Sequence, residues 1–467
     1  MSGIFGVVSK NNINEDLFYG VDYHTHLGTE YGGVAVLNGD GRPVKKIREI
    51  RKSQFKAKFH SMPKKVNSNA GIGVISDKFE QPLTFNTKFG VSALVTGGLV
   101  LNNEQLAKKL IDQGISFSEI SKGETNTVEL VAKLINLGKD IPSGINKMFE
   151  MIEGSTSLLL LCKEGIYAAR DKFGRTALVI GEKDGSVAVT SETCAFPNLG
   201  YKTVKFMEPG EIVLLTKDGL VVKEKGNPDN KKICTFLWVY TGYPASDYEG
   251  INTDIVRENC GRNLAIYDKG KIKPDMIAGV PDSGIGHAIG YSVESKCPYR
   301  RPLVKYTPGY GRSYTPPSQE QRDRIALMKL IPNESVAKGK SIVLCDDSIV
   351  RGTQLKNFTI KKLRQCGARE VHARIACPPL MFPCKYNLST RTTKELIARR
   401  MIRKLEGKDI EDVSKYLNPE SDEYKQMVEL IRQDIGVESL KYHKINDLVK
   451  AVGMPKEKLC THCWLGD

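Results

Sequence analysis

The densest concentration of chemistry in the chain is one string of nine residues, Cys345-Asp346-Asp347-Ser348-Ile349-Val350-Arg351-Gly352-Thr353. An apolar run, Ile342 to Leu344, leads into two adjacent carboxylates, and a helical pattern follows Thr353. A strand whose end turns into a helix gathers backbone N–H groups and the positive end of that helix at one point, which is an anion site. Ser348 and Thr353 can add hydroxyl donors, and Gly352 lets the backbone approach closely. Paired carboxylates beside such a cradle suit the vicinal hydroxyls of a sugar, met directly or through water on Mg²⁺. As local structure alone the string would be a turn with an acidic N-cap. The strand-then-helix setting favours a sugar phosphate.

Two other segments fit that chemistry. Val280-Pro281-Asp282-Ser283-Gly284 closes another apolar run, and ligands of parallel sheets collect at such strand ends. The stretch from Lys305 to Lys329 carries Lys305, Arg312, Arg322, Arg324 and Lys329 among glycines and prolines. A basic loop of this kind could close over an anionic leaving group and exclude water. Its plainer reading is a solvated surface loop. Cys460-Thr461-His462-Cys463 is a C-x-x-C pair. By itself it leaves a redox pair, half a zinc site or chance open.

The elements that must position these residues fall into two patterns. Residues 1 to about 230 read as short strands, such as Gly71 to Ile75 and Val91 to Val95, with helices near 104–114 and 126–137. Stacked sheets with helices outside suit that mixture. Gly226 to Lys232 reads as a linker. Beyond 250, helices near 252–267, 284–295 and 353–366 alternate with strands at 276–280, 302–305, 341–345 and 370–375, the pattern of a parallel sheet. Residues 393–450 read as helical and highly charged.

Length alone implies two domains, because the chain has 467 residues. The formal net charge is +15, from 69 Lys+Arg against 54 Asp+Glu, which suits a polyanionic substrate. No stretch reads as a nucleic-acid-binding module, so nucleic acid is disfavoured. The longest apolar run, Ser157 to Cys162, is too short to span a bilayer. Met1 to Gly6 lacks the form of a signal peptide, so a cytoplasmic location is expected. There, eleven cysteines are poor candidates for disulfides.

The nine-residue string resembles the phosphoribosyl-pyrophosphate loop of type I phosphoribosyltransferases. The chain as a whole is similar to the glutamine phosphoribosylpyrophosphate amidotransferase (amidophosphoribosyltransferase) family. Ser2-Gly3-Ile4-Phe5-Gly6 sits where that family has Cys-Gly-Ile-Phe-Gly. Ser191 to Phe196 and Glu208 to Glu211 match the end of its glutaminase domain. Pro281-Asp282-Ser283, Gly311-Arg312, Pro317-Ser318-Gln319, Met328-Lys329-Leu330 and Asp346 to Thr353 match its transferase domain.

The resemblance implies an α+β N-terminal-nucleophile-hydrolase-like sandwich (αββα) over 1–232. An α/β type I phosphoribosyltransferase domain with a parallel sheet follows over 233–467. It implies Mg²⁺ near Ser283, Asp346 and Asp347, and pyrophosphate met by Lys305, Arg312 and Lys329. In one branch of the family four cysteines hold a [4Fe–4S] cluster. Cys234, Cys384, Cys460 and Cys463 fall at the matching positions, with zinc as the runner-up. Purine nucleotide effectors and a homo-oligomer are further implications.

The resemblance breaks in the first half. The family's nucleophile, a cysteine whose α-amine serves as base, is Ser2 here. Its carboxylate-clamping arginine aligns with Ser76. The Asn-Gly pair of its oxyanion hole aligns with Gly97-Gly98. The aspartate that holds the substrate amino group aligns with Asn126, and its His-Arg-Gly is His26-Leu27-Gly28. The expectation is an inactive glutaminase-like domain joined to a transferase that forms 5-phosphoribosylamine from free ammonia or ammonia delivered by a partner; a second reading keeps the transferase but gives it another amine as acceptor. The alternative is a regulatory pseudoenzyme, or partner of an active paralogue, that binds the same pyrophosphate. The segment of about 395–428 is longer and more charged than the family leads one to expect. It reads as a solvated helical excursion, with partner docking as the alternative.

Overall fold

The computed structural model describes residues 2–51, 53–62, 67–121, 123–306, 328–386, 390 and 392–467. Two compact units divide them. The first comprises Met1–Cys234, Ala245–Gly250 and Lys385–Ser389, and the second comprises Thr235–Pro244, Ile251–Cys384 and Thr390–Asp467. The sequence boundary at 232/233 thus falls two residues early, and it omits two short excursions into the first unit.

The first unit opens with β1 (Gly3–Ser9), α1 (Asn14–Asp22), β2 (Tyr31–Leu37), β3 (Pro43–Glu49) and β4 (Ala70–Ser76). Next come β5 (Leu83–Thr87), β6 (Gly90–Val100), α2 (Asn103–Asp112), α3 (Thr127–Ile135) and α4 (Ile141–Met151). It closes with β7 (Gly154–Cys162), β8 (Gly165–Ala169), β9 (Val179–Lys183), β10 (Ser186–Thr190), β11 (Lys202–Phe206), β12 (Ile212–Thr216) and β13 (Gly219–Glu224).

These strands form two antiparallel sheets, ordered β11-β9-β10-β1-β4-β2-β3 and β13-β12-β8-β7-β6-β5. Side-chain alternation explains why both are apolar on two faces. In β7, Leu159 and Leu161 join Ile4 and Val8 between the sheets. Leu158, Leu160 and Cys162 pack instead with Val128, Leu134 and Ile145 of the outer helices. In β1, the Phe5 ring lies where a Gly20 side chain of α1 would project. The result is the αββα layering, with Ser2 at the head of β1.

The second unit begins with α5 (Thr253–Asp268), β14 (Met276–Gly279), α6 (Ile285–Ser295), β15 (Leu303–Lys305), β16 (Leu330–Pro332) and β17 (Ser341–Asp346). After the turn from Ser348 to Thr353 come β18 (Glu370–Ile375), α7 (Ile397–Glu406), α8 (Asp422–Ile435), β19 (Ser439–Tyr442) and α9 (Ile445–Val452). The sheet β14-β17-β18-β19 is parallel throughout, and β15 and β16 form a separate antiparallel ribbon. Ile342, Val343 and Leu344 of β17 are buried, as a central strand covered on both faces requires.

Sheet register sets the face on which the Asp346 position lies. Cys345 pairs with Arg374, which pairs with Lys441. Asp268 at the end of α5 binds Arg374 (Nη2–Oδ1 3.0 Å) and Lys441 (2.6 Å) and fixes that row on one face. Asp346 pairs with Ile375, and Ile375 with Tyr442, in the next row on the opposite face.

The 395–428 segment is not a solvated excursion. Leu396, Ile397, Ala398, Met401 and Ile402 are buried, as are Met427, Ile431 and Ile435 of α8. Its charges fall on the outer faces, and the apolar positions recur at helical spacing.

Candidate active site

β17 delivers Asp346 and Asp347 to the carboxyl end of the parallel sheet, beside the turn after β14. Two backbone bonds hold the neighbouring turns: Val280 N–H donates to Cys345 O (2.9 Å) and Ala376 N–H to Asp346 O (2.9 Å). The Ser283 hydroxyl donates to Asp346 Oδ1 (2.7 Å), which also accepts from Asp347 N–H (3.0 Å). Ser348 Oγ donates to Asp347 Oδ2 (2.5 Å). The three residues expected near Mg²⁺ are therefore joined in one hydrogen-bonded group. Both carboxyls are raised above the usual range, Asp346 well above it. Burial is the main cause for each, and the adjacent Asp347 charge adds to it for Asp346.

The turn from Ser348 to Thr353 has an unusual backbone account. Among the described residues, no protein acceptor takes the amide N–H of any residue from Ser348 to Thr353. Ile349 and Gly352 are buried while Arg351 and Thr353 are exposed, and the first amides of a helix have no partner within it. Successive open amides of this kind can receive an anion where they converge. Gly352 has φ +81°, a left-handed conformation that a side chain disfavours. Gly352 O then accepts from Lys356 N–H as the helix begins (2.9 Å). That helix is π-type over Gln354–Ile360 before it continues as Lys361–Gln365. Ile349 is buried beneath the turn, while the Arg351 side chain leaves it and meets Glu395 (2.5 Å).

Of the basic residues assigned to the leaving group, Lys305 pairs with Asp282 (2.5 Å), next to Ser283. The carbonyl of Lys329 accepts from Tyr306 N–H (2.8 Å) across the β15–β16 ribbon. Arg312, Arg322 and Arg324 lie outside the described residues.

In the first unit, the departures at the amidase positions have structural counterparts. A side chain at Gly97 would stand 3.3 Å from the Ser2 carbonyl, so position 97 faces the head of β1. Ser76 is buried and accepts from Gln81 Nε2 (3.2 Å). The same Gln81 amide donates to Thr96 O (3.2 Å) and accepts from Thr96 N–H (2.8 Å). Asn126 caps α3 by accepting from Val128 N–H (2.9 Å) and donates to Glu80 O (3.1 Å). His26 Nε2 meets Glu192 Oε2 at 2.7 Å, a pair that links two of the recognised motifs. Gln81 was not among the sequence candidates, and only its neighbourhood to Pro82 marks it in the chain.

Cys463 O accepts from Met381 N–H (2.9 Å) and Phe382 N–H (3.1 Å), which draws the last turn onto Phe382-Pro383-Cys384. Cys384, Cys460 and Cys463 thus lie on adjoining stretches of the second unit, and Cys234 belongs to the first. All four are half-buried and none is in a disulfide. Among the described residues, no three His, Cys, Asp or Glu side chains are grouped as a metal site. Mg²⁺ that borrows substrate oxygens needs only one or two carboxylates, so the Asp346–Asp347 oxygens fit it. A cluster held by thiolates alone needs more.

Comparison with known proteins adds independent weight. Residues 69–198 match a family model described as a glutamine amidotransferase domain. Amidophosphoribosyltransferase of Methanocaldococcus jannaschii is 31% identical, over 100% of this chain and 97% of that protein. The Bacillus subtilis amidophosphoribosyltransferase is 30% identical, over 99% and 93%. The solved B. subtilis glutamine phosphoribosylpyrophosphate amidotransferase, complexed with ADP and GMP, superposes with a TM-score of 0.83 at 30% identity, covering 100% of this chain and 96% of that one. Full-length likeness in sequence and fold means that the chain belongs to the amidophosphoribosyltransferase family.

Proposed function

We propose that the chain makes 5-phosphoribosylamine from 5-phosphoribosyl 1-pyrophosphate and ammonia, in a Mg²⁺-dependent reaction, and that its glutamine-hydrolysing half no longer works. One observation carries the transfer reading: six open amides that begin one residue after two buried carboxylates. The 5′-phosphate would occupy the turn, with the Ser348 and Thr353 hydroxyls as added donors. Asp346 and Asp347 would accept from the ribose 2′- and 3′-hydroxyls.

The ammonia lone pair then forms a bond to C1 as the bond from C1 to pyrophosphate breaks. The bonding electrons leave with pyrophosphate, and a proton passes from nitrogen to solvent. Positive charge builds on the ring at the transition state, as at other anomeric centres. Mg²⁺, when bound, neutralises pyrophosphate charge. Lys305 would exchange Asp282 for the leaving group, with Lys329 and Arg312 as further cations.

Loss of the amidase is supported by four changes. Ser76 brings a single neutral O–H where a guanidinium would clamp a carboxylate with two charged N–H donors. Gly97 brings no side-chain donor to an oxyanion. Both ends of the Asn126 amide are committed to the backbone. Ser2 is a weaker nucleophile than a thiolate.

Cys234, Cys384, Cys460 and Cys463 are proposed to bind a [4Fe–4S] cluster, because they fall at the positions of the family's cluster ligands. Anaerobically purified chain is then expected to hold about four irons and matching acid-labile sulfide per chain. Cys463→Ser should lose most of both. Zinc in place of iron would overturn the assignment. A cytoplasmic homo-oligomer sensitive to purine nucleotides completes the proposal, in keeping with the ADP and GMP held by the solved relative.

The direct test supplies Mg²⁺, the pyrophosphate substrate and ammonium to the purified chain and follows pyrophosphate release. Steady turnover is expected. Tight binding without turnover would favour the regulatory pseudoenzyme instead.

A further inference from the structure

We infer that Glu395 and Ile397, outside the nine-residue string, are positioning residues that hold the phosphate turn in its binding shape. The inference rests on the phosphoribosyl reading above.

Three consecutive residues of the turn each meet this segment. Val350 O accepts from Ile397 N–H (2.7 Å). Arg351 Nη2 meets Glu395 Oε2 (2.5 Å). A side chain at Gly352 would stand 2.5 Å from Ile397 Cδ1, so the isoleucine packs directly on the left-handed glycine. A second tie lies further along: Asp434 of α8 pairs with Arg400 of α7 (2.9 Å) and with Lys356 (3.5 Å), in the first turn of the helix after the phosphate turn.

The first of these contacts controls where an amide points. The peptide unit is planar and trans, so its C=O and N–H point in opposite directions. When Ile397 holds the Val350 carbonyl, the Arg351 N–H of that same peptide is directed away from α7, toward the open side of the turn. A turn whose own amides meet no acceptor among the described residues has no ladder there to set its dihedrals. Outside contacts must do it, and preorganised donors are what anion binding requires.

The geometry also supplies a selective variant. Ile397 is the first helical residue of α7, where proline is well accepted because its missing N–H has no intrahelical partner. Leu396, at φ −82° and ψ 123°, already has the backbone that a residue before proline prefers. Ile397→Pro therefore removes the N–H to Val350 while suiting the helix, and Ile397→Val keeps it.

The experiment is titration of wild type, Ile397→Pro, Ile397→Val and Glu395→Gln with ribose 5-phosphate, and separately with inorganic pyrophosphate and Mg²⁺. Ile397→Pro is expected to weaken ribose 5-phosphate by about three- to tenfold, the span of one net hydrogen bond, and to leave pyrophosphate unchanged. Ile397→Val keeps the N–H but deletes the Cδ1 that packs on Gly352, so its affinity should fall between those of wild type and Ile397→Pro. Glu395→Gln should weaken ribose 5-phosphate by about two- to threefold, as an exposed ion pair allows. In turnover these losses should raise KM for the phosphoribosyl substrate more than they lower kcat. Equal ribose 5-phosphate affinity in Ile397→Pro, or in Glu395→Gln if the proline variant does not fold, overturns the inference. Equal losses for both ligands overturn it as well, because they indicate general damage. Failure of wild type to bind ribose 5-phosphate brings down the phosphoribosyl reading itself, and the inference with it.

Discussion

Asp346→Asn is expected to lower ammonia-dependent transfer by about 100-fold or more and, in the same protein, to raise the melting temperature of the unliganded chain at neutral pH. Both effects have one cause. Asp346 is buried beside Asp347, and its carboxyl is raised well above the usual range by burial and then by the neighbouring charge. An amide of the same shape still accepts from the Ser283 hydroxyl and from Asp347 N–H. It also turns a repelling neighbour into a hydrogen-bond donor toward Asp347. What it loses is the negative charge that ribose hydroxyls and a cation would meet. The pH dependence follows from linkage. A carboxyl raised in the native state binds its proton more tightly folded than unfolded, so native stability falls as pH rises from the ordinary carboxylate range through the raised value. Asparagine has no such loss. The stability advantage of Asp346→Asn should be small near pH 4 and larger near pH 8, in calorimetry without divalent cations. An advantage of the same size at both pH values would refute the electrostatic account. Transfer within threefold of wild type would refute the role in the reaction.

Much of this site is local enough to read from the chain. Ile342 to Leu344 is apolar on both faces because β17 is central, and Gly352 is required by a positive φ. A strand, two carboxylates and a turn into a helix occupy consecutive positions, so their chemistry needs no tertiary knowledge. The contacts that hold the turn are of another kind. Arg351 and Glu395 are 44 residues apart, and each alone is an ordinary surface charge. Ile397 looks like any apolar position of an amphipathic helix until its amide is seen facing Val350. Strand β19 was hidden for a different reason. Ser439-Leu440-Lys441-Tyr442 alternates correctly, with Leu440 and Tyr442 buried, but four residues between charged helices give too short a period to stand out. Gln81 illustrates the same limit in the first unit. Its partners Ser76 and Thr96 lie on β4 and β6, which belong to different sheets, and pattern alone does not bring them together.

With glutamine as the sole nitrogen source, product formation is expected to stay below about one-hundredth of the rate with ammonia, and Ser2→Cys should not restore it. Groups that act as a unit do not contribute additively, so returning one of them to a dismantled site recovers little. A thiol at position 2 would still face Gly97, which offers no side-chain N–H to a developing oxyanion. The substrate carboxylate would meet one neutral Ser76 hydroxyl in place of a charged, bidentate guanidinium. The substrate ammonium would meet Asn126, a neutral amide whose oxygen caps α3 and whose nitrogen bonds Glu80 O. Freeing that amide would expose a helix N-terminus, at a cost of about 1 kcal/mol, before any binding began. The ammonia rate should climb with pH, because only the unprotonated amine has a lone pair to give. The glutamine rate should remain at background across the same range. The measurement is phosphoribosylamine formation with isotopically labelled glutamine or ammonium, in wild type and Ser2→Cys. Label from the glutamine amide in the wild-type product at a rate comparable to ammonia would mean that Ser2 is a working nucleophile in a pocket built on different contacts, and the inactive-amidase reading would fall while the transferase assignment stood.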